Sequence, residues 1–287
     1  MTRWEPRPTL SRAFYKAHSL GNDYLIFEEG SGWVATPDAV REICNRNRGV
    51  GADGIVVLLQ ELAGSLPQLR MFNPDGSEFE RSGNGLRILA TYLHREGRVG
   101  DAPFEVIVRG DLVGITVHGV QDRTYDISVE MGRAKVGADS VGLDPSSLDG
   151  SGRIIGPGGS RVHVIPVSVG NPHLVVFVPE VSNTLLESLG PFLATHSGLS
   201  NGANVQLARP LSASRLEAAI WERGVGPTTA SGTGACAIAV AAVWSGQVNP
   251  GVVMVETTGG SLEIQVNVEL EVGLRGPVKE VCTGTLT

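Results

Sequence analysis

The sequence predicts an α/β (α+β) protein of two pseudo-symmetric lobes, each a curved, mostly antiparallel sheet around one central helix. Three observations point there: two motif pairs share one offset, an apolar helical stretch follows each Ser-Gly-x-Gly motif, and short β-branched runs surround both. Ser19-Leu20-Gly21-Asn22 resembles Ser168-Val169-Gly170-Asn171, and Asn171 minus Asn22 is 149. Ser82-Gly83-Asn84-Gly85 resembles Ser231-Gly232-Thr233-Gly234, and Ser231 minus Ser82 is again 149. Single glycine motifs recur by chance, but two pairs sharing an offset across half the chain indicate internal duplication.

In chain order, residues 1–12 read as a loose arm, basic but with no apolar segment behind it of the kind a secretory signal needs. Thr36-Pro37 predicts a helix start, with Thr as N-cap and Pro in the first turn. Ile55–Leu59 and Phe104–Val108 read as strands. Between them Leu86, Leu89, Ala90 and Leu93 follow helical spacing from Ser82, and Gly97 marks the end. Gly132–Ser160, rich in Gly, Ser, Asp and Pro, reads as the boundary, giving lobes 1–132 and 161–287 with 133–160 as linker. In the second lobe Val162–Val167, Leu174–Val178, Val252–Val255 and Leu262–Val268 read as strands. Ala235–Trp244, apolar on every side, reads as a helix buried all round. The last strand, about 277–287, is expected to pack on the first lobe.

Composition narrows the function classes. A net charge of −7 with no basic run argues against nucleic acid, and no apolar stretch approaches membrane-spanning length. Three scattered cysteines, Cys44, Cys236 and Cys282, make neither a disulfide framework nor a zinc site, so no metal is expected and a reducing cytoplasm fits. The 38 glycines demand many tight turns or close approaches of backbone to a ligand.

A helix start offers unpaired N–H groups and partial positive charge, and preceding glycines let a carboxylate or phosphate reach them. Each Gly pair alone equally serves a tight turn; the duplicated pair points to an anion site. Asn22, Asn73, Asn171 and Asn204 stand in polar breaks beside apolar runs, where Asn is also a turn former. Glu222-Arg223 follows a strand-like run, and Arg can grip a carboxylate with two parallel bonds or simply pair at the surface. His173, placed opposite Asp23 in the repeat, titrates near neutrality and so suits proton transfer; a lone His is as readily a polar filler.

His18-Ser19-Leu20-Gly21-Asn22-Asp23, Arg48-Gly49-Val50-Gly51-Ala52-Asp53-Gly54, Phe72-Asn73-Pro74-Asp75-Gly76-Ser77-Glu78, Gly170-Asn171-Pro172-His173, Glu222-Arg223-Gly224-Val225-Gly226 and Ser231-Gly232-Thr233-Gly234-Ala235-Cys236 occur in this order. Together they resemble the diaminopimelate epimerases from about Phe14 to Cys282. The resemblance implies an isomerase of LL- and meso-2,6-diaminopimelate that needs no cofactor or metal and inverts an α-carbon with two facing cysteines. It assigns substrate binding to Asn22, Asn73, Asn171, Asn204, Glu222 and Arg223, and the reacting centre's carboxylate to Gly83-Asn84 and Gly232-Thr233. The distal carboxylate falls to Asn73, Asn204 and Arg223, while His173 and Glu222 support the reacting carbon. The partner is a small dicarboxylic amino acid, with room for a homodimer.

The family's two catalytic cysteines fall on Ser82 and Ser231. Cys236 cannot replace one, because five residues carry it about 7.5 Å along the helix. A thiol near a helix N-terminus becomes a usable base; a hydroxyl needs a base beside it. Slow or absent epimerisation is therefore expected. Three accounts stand open: cysteines exchanged by design, a divergent isomerase of another carboxylate substrate with His173 and Glu222 as acid and base, and a non-catalytic amino-acid binder. The phenazine-pathway isomerases, which resemble this fold and work with carboxylates, keep the second open.

Overall fold

The computed structural model describes residues 6–59, 65–79 and 81–287. The chain divides into one unit of residues 1–129 with 277–287 and another of 130–276.

Both units run through one order of elements. In the first, strands Thr9–Ser19 and Asn22–Glu29 form an antiparallel hairpin, helix α1 (Pro37–Cys44) crosses over, and Gly54–Leu58 returns parallel to 22–29. Gln68–Phe72 runs back antiparallel, Glu78–Phe79 turns on it, and helix α2 (Gly83–Arg95) leads to Phe104–Val108, parallel to 68–72. Asp111–Gln121 and Thr124–Arg133 continue antiparallel.

In the second, Ile165–Ser168 pairs antiparallel with Pro172–Phe177, helix α3 (Asn183–Ala194) crosses over, and Asn204–Ser212 returns parallel. Arg215–Glu222 and Gly226–Thr228 repeat the reversal, and helix α4 (Gly232–Trp244) leads to Gly251–Thr257, parallel to 215–222. Gly260–Val266 and the start of Glu271–Thr285 finish this unit. The later half of that strand pairs with Thr9–Ser19, from Lys279 to Thr285. The duplication read from motif spacing is thus a duplication of strand order, with two parallel crossovers in each copy of a mostly antiparallel sheet.

Local chemistry explains the helix ends. Thr36 Oγ1 accepts from Ala39 N at 3.2 Å, with Pro37 in the first turn of α1. At the end of α2, Gly97 N donates to His94 O and Arg98 N to Leu93 O; at the end of α4, Gly246 N donates to Val243 O and Gln247 N to Ala242 O. This doubly bonded terminus needs a left-handed residue, and Gly97 (φ 67°) and Gly246 (φ 71°) supply it. Gly246 minus Gly97 is again 149.

Side chains alternate across each strand, so each sheet has two faces. Leu25, Phe27, Ile55, Val57 and Phe72 pack with Val40 and Cys44 of α1. Leu174, Val176, Val205 and Leu207 pack with Leu186, Leu189 and Leu193 of α3. The opposite faces cover α2 and α4: a Cβ on Gly85 would touch Val56 and Met71, and one on Gly234 would touch Gln206. Every residue of α4 from Gly232 to Ala242 is buried, and each core side chain such as Ile238 contributes roughly 1.5–3 kcal/mol.

Several expectations need correction. Within the arm 1–12, Thr9–Arg12 already belongs to the first strand and Leu10 is fully buried, because its apolar side chain enters the α1 core; residues 1–5 lie outside the described part. Residues 133–160 carry their own structure, with strand Arg153–Ile155 paired to Arg161–His163 and Val141, Leu143 and Ile154 in the α3 core. Glycines at positive φ, Gly142 and Gly152 among them, form the turns that looked like a linker. The run Val162–Val167 breaks at Val164, whose N–H goes to Gly152 O, and Val268 lies exposed beyond its strand. Trp244, on the last turn of the helix expected to be buried all round, is 58% exposed.

Candidate functional site

Each unit builds one half-site where its central helix begins. Ser82 is extended (φ −132°, ψ 120°) and its Oγ accepts from Gly85 N at 3.1 Å; Ser231 (φ −141°, ψ 124°) does the same for Gly234 N at 3.3 Å. Both serines are therefore N-caps, and the N–H groups of Gly83, Asn84, Gly232 and Thr233 precede the first intrahelical bonds. Ser231→Ala should lower stability by about 1 kcal/mol, read as a reduced urea midpoint at unchanged slope.

In the first half-site Asn84 Nδ2 donates to Asn22 Oδ1 (2.8 Å), and Asn22 Nδ2 donates to Asp53 Oδ2 (3.0 Å). The fully buried Arg87 donates from Nη2 to Asn84 Oδ1 (2.7 Å) and Ser19 Oγ (2.5 Å). Beyond Asp53, Arg46 reaches Asp53 Oδ1 at 2.6 Å and Asp23 Oδ1 at 2.7 Å, and Lys16 Nζ lies 2.9 Å from Asp23 Oδ2. Burial works to raise the Asp23 carboxyl, but bonds from Arg46 and Lys16 outweigh it and hold the group at about 2. Burial and the Asp23 charge move Asp53 the other way, upward. A lowered folded pKa means the Asp23 contribution is complete above its ordinary 3.8 and is lost as pH falls towards 2. The urea midpoint should fall across that window, and Asp23→Asn should flatten the fall.

In the second half-site Asn171 Nδ2 donates to Thr233 Oγ1 (3.3 Å), His173 Nε2 lies 2.8 Å from Asn171 Oδ1, and Gln206 Nε2 lies 2.9 Å from His173 Nδ1. Thr233 minus Asn84 is 149, so the Asn22–Asn84 and Asn171–Thr233 contacts are one contact duplicated. Strand pairing sets Tyr24 against Gly54 and His173 against Asn204, which makes Tyr24, not Asp23, the counterpart of His173. His173 is fully buried; burial, aided by the Arg223 charge and opposed by the Gln206 bond, pushes it down to about 3. The ring is held neutral by burial, with Nε2 engaged by Asn171 and Nδ1 by Gln206.

Asn204 Oδ1 accepts from Arg223 N at 2.9 Å, and Arg223 Nη1 donates to Asn201 O at 2.5 Å. Glu222 ends its strand opposite Gly226. Asn73 sits in the other unit, in a 73–77 turn where its Nδ2 donates to Ser77 Oγ at 2.9 Å. Register places His173, Asn204, Gln206 and Glu222 on the α4 side of their sheet. Cys236 and Cys44 are buried, and burial pushes the Cys44 thiol up to about 12. Among the described residues no group of three or more His, Cys, Asp or Glu could hold a metal, and no helix is long and apolar enough to cross a membrane.

Sequence reasoning missed Arg46, Asp53, Arg87 and Gln206. Asp53 stands within a quoted motif, and Arg87 is a charge immediately after Leu86 in an apolar helix. Gln206 gave no signal before strand pairing was known.

A sequence profile described as diaminopimelate epimerase matches residues 14–137 and 165–281. A protein named diaminopimelate epimerase from Desulforudis audaxviator is 38% identical over 94% of this chain and 98% of its own. Diaminopimelate epimerase 2 of a Nostoc species is 34% identical over 96% and 95%. Among solved structures, a probable proline racemase from Agrobacterium radiobacter covers 97% of this chain and 93% of its own, at a TM-score of 0.70 and 14% identity. A predicted epimerase from Pseudomonas aeruginosa covers 96% and 99%, at 0.68 and 19%. At those identities the two structures speak for the fold alone.

Proposed function

We propose that this chain, which belongs to the diaminopimelate epimerase family, binds LL- and meso-2,6-diaminopimelate and exchanges the proton on an α-carbon. The observation that carries this reading is the duplicated half-site: two capped helix starts, each with an Asn side chain hydrogen-bonded to the second helical residue. Inversion needs a group on each face of the α-carbon, one to take the proton and one to return it, and the duplication supplies two equivalent positions, Ser82 and Ser231. The N–H groups at Gly83-Asn84 and Gly232-Thr233 suit an α-carboxylate, whose charge grows toward an enediolate as the proton leaves. Asn204 and Arg223, joined through the Arg223 N–H, suit the distal carboxylate. To Glu222, at the end of its strand, we assign the substrate's ammonium group.

The setting we assign is the cytoplasm, in the supply of lysine and peptidoglycan precursors, with a homodimer as the assembly. Oxygen at both reacting positions favours a second reading, a binder with little turnover. Titration calorimetry with meso-diaminopimelate, lysine and glutamate, beside NMR of α-proton exchange in D₂O, separates the readings. Binding of diaminopimelate above both comparators supports the substrate assignment, and equal or absent binding of all three refutes it.

A further inference from the structure

Both half-sites orient an Asn beside a helix start, but by different devices. In the first, two amides are held between groups of fixed polarity. Arg87 can only donate and ionised Asp53 can only accept, so Asn84 must turn its oxygen to Arg87 and Asn22 its nitrogen to Asp53. In the second, Thr233, Asn171 and His173 can each donate or accept, so their row of hydrogen bonds can run either way.

Gln206 ends that row. It is fully buried, its Nε2 lies 2.9 Å from His173 Nδ1, and its Oε1 is buried without a hydrogen-bond partner. Turning the amide over would give Oε1 to the histidine and leave an –NH₂ in that partnerless place. As observed, one N–H and the carbonyl oxygen go unmet; turned over, both N–H groups would. An orphaned N–H costs more than an under-satisfied carbonyl, so the Nε2-to-Nδ1 orientation wins.

We propose that Gln206 is a positioning residue of the second half-site: its amide N–H fixes His173 as the Nε2–H tautomer, and the imidazole in turn aims Asn171. His173 Nε2–H then donates to Asn171 Oδ1, so the Asn171 –NH₂ faces Thr233 with a second N–H left to donate to a carboxylate. Asn171 is half-buried, which leaves that donor within reach of a ligand. Burial, the main cause of the lowered His173 basicity, keeps the ring neutral, which leaves a single N–H for the tautomer to place. The consequence for ligand binding rests on the functional reading above; the tautomer does not.

The test uses ¹⁵N-labelled protein and two variants, Gln206→Glu and Gln206→Leu. Long-range ¹⁵N–¹H spectra of the parent should show His173 protonated at Nε2 alone, with Asn171 side-chain amide protons giving Overhauser contacts to the Thr233 methyl. In Gln206→Glu a carboxylate that only accepts should draw a proton onto Nδ1. Gln206→Leu removes the donor without adding an acceptor and checks that packing alone does not set the tautomer. Meso-diaminopimelate affinity should fall roughly tenfold or more in Gln206→Glu, the scale of one misaligned charge-assisted bond. A parent ring protonated at Nδ1, or a Gln206→Leu ring still held at Nε2–H with the Asn171–Thr233 contact intact, overturns the proposal. So does a moved proton with unchanged diaminopimelate affinity. If the parent binds no diaminopimelate while tautomer and contact respond as stated, the positioning role stands and the substrate assignment falls.

Discussion

Ser82→Cys combined with Ser231→Cys is expected to raise diaminopimelate epimerisation by on the order of a thousandfold or more, the usual worth of a matched general acid–base pair. The parent should be near the background rate. The reason lies in the acidity of the two reacting groups. A thiol starts at about 8.5 and is lowered further at a helix N-terminus, where the dipole favours thiolate. A serine hydroxyl is many units less acidic, and in this structure each one is spent as an N-cap, accepting from Gly85 N or Gly234 N. His173 offers Ser231 no free basic nitrogen, because Nδ1 is taken by Gln206 and Nε2 by Asn171. Each single cysteine should give much less epimerisation while washing an α-proton into D₂O from one stereoisomer, because only one face of the carbon has its base. A coupled epimerase assay and NMR exchange on all four forms decide the matter. Full activity in the Ser/Ser parent would mean that the acid–base pair lies elsewhere.

The same exchange should cost stability. Serine is among the better N-caps and cysteine is not, so the two changes together should cost about 1–2 kcal/mol in a urea melt even as activity appears. On the proposed function, the two positions trade helix capping against proton transfer, and the serines here cap.

How much of this was legible beforehand varied with the kind of signal. The duplication was plain, because equal spacing survives whatever the side chains do, and Gly97 and Gly246 show that it reaches even the helix ends. Helix α3 has no counterpart in the sequence analysis: it carries Pro191 inside it, and what holds it is the N-cap Ser182 with buried Leu186, Leu189 and Leu193. Segment 133–160 was misjudged for the opposite reason, since its few apolar residues are separated by turn formers and only the fold brings them together. For the site, the motifs gave the residues we propose to meet a ligand. They did not give Arg87, Asp53 or Gln206, which face those residues instead and are recognised only by what they touch.

Removing the Arg223 side chain, Arg223→Ala, should weaken meso-diaminopimelate binding by about 2–3 kcal/mol, roughly 30- to 150-fold, the scale of a lost charge-assisted pair. On this proposal the residue is partly ordered in advance. Its N–H is held by Asn204 Oδ1 and one guanidinium nitrogen by Asn201 O, so part of the ordering entropy of a long side chain is already met before ligand arrives. The remaining guanidinium N–H groups keep the planar fork that carboxylates fit. Arg223→Lys keeps the charge and loses the fork, and should fall between parent and Ala. Affinity should fall with added salt more for Lys than for the parent, since a point charge in an exposed place is screened more than a two-bonded pair. Calorimetry on the three forms at low and high ionic strength reads both effects. Equal affinity in parent and Ala would take Arg223 out of the binding site.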